Sequence, residues 1–189
     1  SDTKNFFIPE FGYNHMVNDK LSLGVSVFGS GGMNTSYAAP GVGFFNGHNG
    51  NKTGIDLMQL FVVPTISYKI NDQHSIGVGI NLAGQWFRAQ GLDGFRNPSS
   101  SPDNLTDNGH DSSYGAGLRI GWIGQLTDRF TLGATYQTKT WMSEFDDYKG
   151  LFAEQGDFDI PENYGIGLAF KATPKLVLAF DVMRINYSK

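Results

Sequence analysis

The sequence contains no cysteine, which excludes disulfide staples, thiol catalysis and thiolate-bound metals. Charged residues are scarce, at 17% against a usual ~25%. A disordered chain would carry more charge and fewer aromatics, so the composition reads as a folded protein. No apolar run approaches the ~18 residues of a membrane-spanning helix, and no segment sustains a helical period with caps. The net charge of −4 comes without a basic stripe, which argues against a nucleic-acid partner. The four histidines (His15, His48, His74 and His110) are scattered and have no metal-ligand spacing. Neither a metal nor a cofactor is implied. No signal-peptide pattern opens the sequence, so the numbering is expected to start after such a segment or inside a longer chain.

Glycine and aromatic side chains are abundant instead. The 189 residues include 25 Gly, nearly double the usual ~7%. They also include 15 Phe, 8 Tyr and 3 Trp. Apolar and small residues alternate repeatedly. Leu21, Leu23, Val25 and Val27 share one face, with Ser22, Gly24 and Ser26 on the other. Ile76, Val78, Ile80 and Leu82 alternate with Gly77, Gly79, Asn81 and Ala83, and the same pattern recurs at 114–122 and 164–170. A period of two marks half-buried strands. The chain is all-β and reads as one barrel domain over residues 1–189, with about eight strands. They are expected at 6–17, 21–33, 55–70, 75–90, 112–126, 130–147, 157–172 and 175–187.

Tight and long connections alternate. Asn18-Asp19, Asn71-Asp72-Gln73, Thr127-Asp128-Arg129 and Thr173-Pro174 are turn chemistry. The long connections fall near 34–54, 91–111 and 148–156. This asymmetry is that of an antiparallel up-and-down transmembrane β-barrel, with short turns inside and long loops outside. The face opposite the apolar one carries Gly, Ser, Asn and Ala, with single charges such as Glu10, Arg119 and Asp181. A solvated surface would carry Lys, Glu and Thr. Aromatics such as Phe11, Tyr13, Tyr68, Trp86, Trp122, Tyr136, Phe170 and Tyr187 gather towards strand ends, as in interfacial girdles. The competing reading is a soluble lipid-binding barrel whose apolar face points inward. The first strand begins, and the last ends, on the long-loop side. That placement suggests an internal piece of a larger barrel.

Several segments carry a family resemblance in their order and spacing. They are Ile8-Pro9-Glu10-Phe11, the run from Val17 to Ser26, and the run from Ser75 to Asn81. The runs from Gly133 to Lys139 and from Asp159 to Gly165 complete the set. The sequence resembles the FadL-like long-chain fatty acid and hydrocarbon transporters of the Gram-negative outer membrane. The resemblance implies a barrel of about fourteen strands, of which this chain holds part. It also implies an amino-terminal hatch, absent here together with the later strands. A further implication is an outer groove, a deeper pocket, and lateral release into the membrane at a kinked strand.

The kink corresponds to Gly29, Ser30, Gly31 and Gly32. Glycines there break a regular strand, and the residue pattern independently suggests a bend. Glycines opening a long loop are the other explanation. Phe61, Val63 and Phe87 fall on the lumen face and are candidates for lining the ligand slot. Packing against the hatch is the alternative. Arg119, also facing the lumen, either holds a ligand carboxylate or pairs with Asp181 or Glu10. Met33, Phe44, Phe45, Leu92 and Phe95 are candidates for the outer groove, or for folding back on the rim. The acidic residues from Glu144 to Glu162 read as a solvated outer loop near lipopolysaccharide rather than a Ca²⁺ site.

These features imply a passive outer-membrane transporter of long-chain fatty acids or similar hydrophobic molecules. It is expected to be a monomer, with membrane lipid and lipopolysaccharide as its surroundings, and not an enzyme. The alternatives are a small structural, adhesive or lipid-binding eight-stranded barrel, and a lipid-active barrel enzyme using Ser30 and His48.

Overall fold

The computed structural model describes residues 8–37 and 52–187. Nine strands form one antiparallel sheet: β1 (Glu10–Met16), β2 (Leu21–Tyr37), β3 (Thr53–Lys69), β4 (His74–Gln90), β5 (Asp111–Gln125), β6 (Phe130–Gln137), β7 (Trp141–Met142), β8 (Asn163–Thr173) and β9 (Leu176–Ile185). The path runs β1-β2-β3-β4-β5-β6-β8-β9, with β7 paired to β5. Among the described residues β1 and β9 do not pair with each other, and the eight strands of the path do not close.

Three of the four tight turns share one mechanism. A side-chain oxygen accepts hydrogen bonds from backbone N–H groups two and three residues on. Asn18 Oδ1 accepts from Lys20 and Leu21, both at 2.9 Å. Asn71 Oδ1 accepts from Gln73 at 2.9 Å and His74 at 2.8 Å. Thr127 Oγ1 accepts from Arg129 at 3.2 Å and Phe130 at 3.1 Å. Each turn satisfies its own donors and fixes the register of the strands that leave it.

Alternation then separates the faces. On β3, Phe61 is 2% exposed and Ile66 is 48% exposed. The outer face of β4 runs Ile76, Val78, Ile80, Leu82, Gly84, Trp86, Arg88 and Gln90. From Ile76 to Trp86 the strand rises about 33 Å, or roughly 25 Å vertically at a ~40° tilt, the height of an outer-membrane apolar band. Trp86 and Tyr114 meet edge to face, with ring centres 6.4 Å apart, at the top of that band. Trp122 and His74 stack near its foot.

Besides β1, which begins at Glu10 and not at 6, three boundaries differ by four residues or more from those expected. β2 continues to Tyr37 instead of stopping at 33, because the glycine run is a bulge inside the strand. Gly29 faces Leu60 and Gly32 faces Met58, so β2 holds one more residue than β3 across that interval. The sixth strand, expected over 130–147, ends at Gln137, and pairing to β5 resumes only at Trp141–Met142. Thr138 accounts for the break: its Oγ1 accepts from Leu118 N at 2.9 Å. The strand expected from 157 begins at Asn163. Before it, only a lone bridge joins Ile160 to Thr140, and Pro161 supplies no N–H.

Candidate functional site

The inner face divides into levels. At the bottom, Gly77, Gly79, Gly121, Gly133, Gly165 and Gly167 form a wall without side chains, lining a cavity of about 700 Å³ together with Arg119 and Asp181. Above it lies an apolar cluster of Phe61, Val63 and Ala83, packed by Phe28, Met142 and Ile160. Phe28 stacks on Phe61 with centroids 5.4 Å apart. The bulge starts at the next residue. The candidate kink and the candidate lining residues Phe61 and Val63 are therefore neighbours.

Arg119 stands beside this cluster. Its guanidinium sits 5.6 Å above the Phe28 ring, and Nη2 donates to Gln137 Oε1 at 2.6 Å. Among the described residues it forms no ion pair with Glu10 or Asp181, the partners weighed from sequence.

Phe87 belongs to a second cluster, higher in the lumen, with Ala89, Leu92, Phe145 and Tyr148. Its ring lies 5.7 Å from Phe145, 5.0 Å from Tyr148 and 5.0 Å from Phe152. Phe95 packs against this group. Two of the outer-groove candidates, Leu92 and Phe95, are thus absorbed into a packed cap. Met33 is exposed on β2 opposite Leu57. Phe44 and Phe45 lie outside the described residues.

The cap is built by residues 143–162, which fold inward. Phe145 N donates to Gly156 O at 2.8 Å. Gly156 has a φ of +105°, and a Cβ there would lie 2.6 Å from the Phe145 carbonyl oxygen, so only glycine fits. Asp159 anchors the return of this segment: Oδ1 accepts from Met142 N at 2.6 Å, and Oδ2 pairs with Lys139. Burial, then the Asp159 carboxylate, raise the Asp157 carboxyl above its ordinary range.

Tyr148 is the central post of the cap. Its hydroxyl donates to Gly109 O at 2.5 Å, and burial raises the phenol above its ordinary 10.0. A raised folded pKa means the neutral phenol's contribution is complete below 10.0 and is lost as pH rises through the folded value. Protease cleavage within 143–162 should therefore increase as pH climbs past 10.0. Tyr148→Phe should remove that part of the dependence. An identical alkaline profile for the variant would refute the assignment.

Polar residues between the clusters were not singled out from sequence. Asn81 and Gln85 are 0% exposed. Among the described residues none of their side-chain N and O atoms has a hydrogen-bond partner, and neither does Thr140 Oγ1. Gly117, opposite Asn81 in the ladder, would place a Cβ 2.8 Å from Thr140 Oγ1, so the missing side chain lets Thr140 approach. Their inward direction follows from the period of two. Their lack of partners depends on strands and loops distant in sequence.

No curated protein sequence gives a significant match to the chain. Solved structures do. The toluene transporter TodX of Pseudomonas putida superposes with a TM-score of 0.70 at 17% identity, over 95% of this chain and 54% of that one. A TodX monoaromatic hydrocarbon channel deltaS2 mutant gives 0.66 at 18% identity, over 93% and 53%. The chain spans about half the length of these proteins, and at such identity they establish the fold. The family described as outer membrane protein transport protein (OMPP1/FadL/TodX) matches residues 2–189, and the chain belongs to that family of outer-membrane transporters.

Proposed function

We propose that the full-length protein admits long-chain fatty acids or aromatic hydrocarbons through the outer membrane. In this reading they are captured against Phe61, Val63 and Phe87 and released sideways at Gly29–Gly32. The observation that carries it is the bulge in β2, one residue from the stacked Phe28–Phe61 pair. A bulge interrupts the ladder and bends the strand. Here it does so where an apolar patch of the lumen meets the wall.

Capture needs no chemistry. Transfer of hydrocarbon from water contributes about 0.8 kcal/mol per buried CH₂. Arg119, held by a neutral amide and an aromatic face, is suited to a carboxylate. That favours fatty acids, whereas the solved relatives are described by toluene and monoaromatic hydrocarbons. Met33, exposed on β2, would receive cargo at the mouth. The working unit is a monomer surrounded by membrane lipid and lipopolysaccharide, without a catalytic step.

Replacing Gly31 and Gly32 together by valine in the full-length protein tests the gate. Among the described residues a Cβ at Gly32 meets only Leu57 O, at 3.4 Å, so that position has room. Uptake of radiolabelled oleate and toluene should drop well below half, while the protein inserts and resists heat as before. Normal uptake by a normally folded variant would remove the lateral gate.

A further inference from the structure

We propose that the outer face above the Trp86–Tyr114 pair holds a phosphate of an outer-leaflet glycolipid, in a cleft walled by Lys52, Arg88, Gln90 and Ser36. The inference concerns the lipid-facing surface and is independent of which cargo the lumen carries.

The bulge at Gly29–Gly32 makes this surface. Before it, odd-numbered residues of β2 face out; after it, even-numbered ones do. Asn34 and Ser36 therefore join Asp56 and Gly54 of β3 on the outside, as the pairs Asn34–Asp56 and Ser36–Gly54 show. β4 contributes Arg88 opposite Asp56 and Gln90 opposite Gly54. The outer surface thus changes over two residues from aromatic to strongly polar. In an outer-membrane barrel, the level just above the aromatic girdle on the long-loop side is that of the outer headgroups.

Asp56 organises the row. It accepts from Asn34 Nδ2 at 3.0 Å and lies 3.1 Å from His110 Nε2 and 3.6 Å from Arg88 Nη2. Its charge is shared among these donors. The long Arg88 contact leaves most of the guanidinium's N–H groups available, and a guanidinium offers the paired donors that phosphate oxygens accept. Directly above, a cavity of about 220 Å³ is lined by Lys52, Arg88, Gln90, Ser36 and Asp56. Gly54 also lines it, and the absence of a Cβ there lets the Thr35 and Ser36 backbone of β2 approach closely. Lys52 is exposed and forms no ion pair among the described residues. Two cations and neutral donors face one carboxylate that is already engaged, so the cleft suits an anion. A phosphorylated sugar headgroup supplies both the phosphate and hydroxyls for Ser36 and Gln90.

A free phosphate ion offers the same oxygens, and the experiment separates the two sources. The full-length protein in detergent is titrated with bisphosphorylated lipid A, with enzymatically dephosphorylated lipid A, and with inorganic phosphate. Native mass spectrometry and thermal melting report binding. The wild type should bind bisphosphorylated lipid A about tenfold or more tightly than the Lys52→Gln/Arg88→Gln variant does. It should bind the dephosphorylated lipid no better than the variant does. Lys52→Gln alone, at an exposed position, should give a smaller loss in the same direction even if Arg88→Gln disturbs the strand. Equal binding by wild type and variants would overturn the site. So would full displacement of the lipid by inorganic phosphate at matched concentration, which would assign the cleft to free anions.

Discussion

A variant lacking Gly31 should fold, insert and lose uptake. β2 carries one residue more than β3 between Gly29–Leu60 and Gly32–Met58. Removing one residue there leaves Gly29 outward, Ser30 inward and Gly32 outward, with every pair up to Tyr37–Thr53 retained. No side chain changes face, so the usual penalty of a one-residue slip does not arise. What disappears is the bend. Heat resistance should be unchanged or raised, because a regular ladder replaces an irregular one. Oleate and toluene uptake should fall towards that of cells without the protein. The deletion isolates bend from bulk, which valine substitution does not. Full uptake with a regular β2, verified by hydrogen exchange of the 29–33 amides, would detach transport from the bulge.

Phe87→Ala should cost about 3–5 kcal/mol of unfolding free energy, the range for removing a buried aromatic ring. Phe87 is 4% exposed and meets three aromatic rings that all come from residues 145–152. The loss should therefore concentrate in the cap. Proteases should cut the 143–162 segment faster, while the amides of β4 and β5 stay protected. Phe87→Leu, which keeps most of the volume, should recover much of the difference. A uniform loss of protection across the sheet would place Phe87 in the stability of the whole barrel rather than the cap.

The strands were legible because membrane strands repeat one simple pattern. Ile76 to Leu82 and Tyr164 to Phe170 announce both their period and their lipid face. The tight turns were equally plain, since Asn18, Asn71 and Thr127 act on neighbours two and three residues away. The bend at Gly29–Gly32 was visible as glycines, but not what followed it. An extra residue inverts the phase, so Asn34 and Ser36 fail the alternation expected of the same strand. The Arg119 partner was within reach. Counting outward from the tight turn at Asp128 brings Arg119 to Gln137, which is its pair in the ladder. The cap was not legible. Phe145 and Tyr148 lie in a stretch rich in acid, and nothing local says that it folds into the lumen. Their burial comes from Phe87, far away in the chain. The isolation of Asn81 and Gln85 is likewise tertiary, since a strand's alternation gives direction without giving neighbours.

Assembly follows from the order of the sheet. Along the described path each strand pairs with the next in sequence, except that β6 pairs with β8 across the two-residue β7, which returns to β5. The entropy of closing a loop rises only slowly with its length, and a hairpin forms in about 1–10 μs. No ladder here waits for a distant segment. The sheet can grow sideways, one hairpin docking on the last, with Asn18, Asn71 and Thr127 setting the register at successive steps. A misregistered hairpin would turn its lipid face into the lumen and stall the next addition. The short turns therefore act as checkpoints of insertion, and errors in them should appear as slow assembly before they appear as instability.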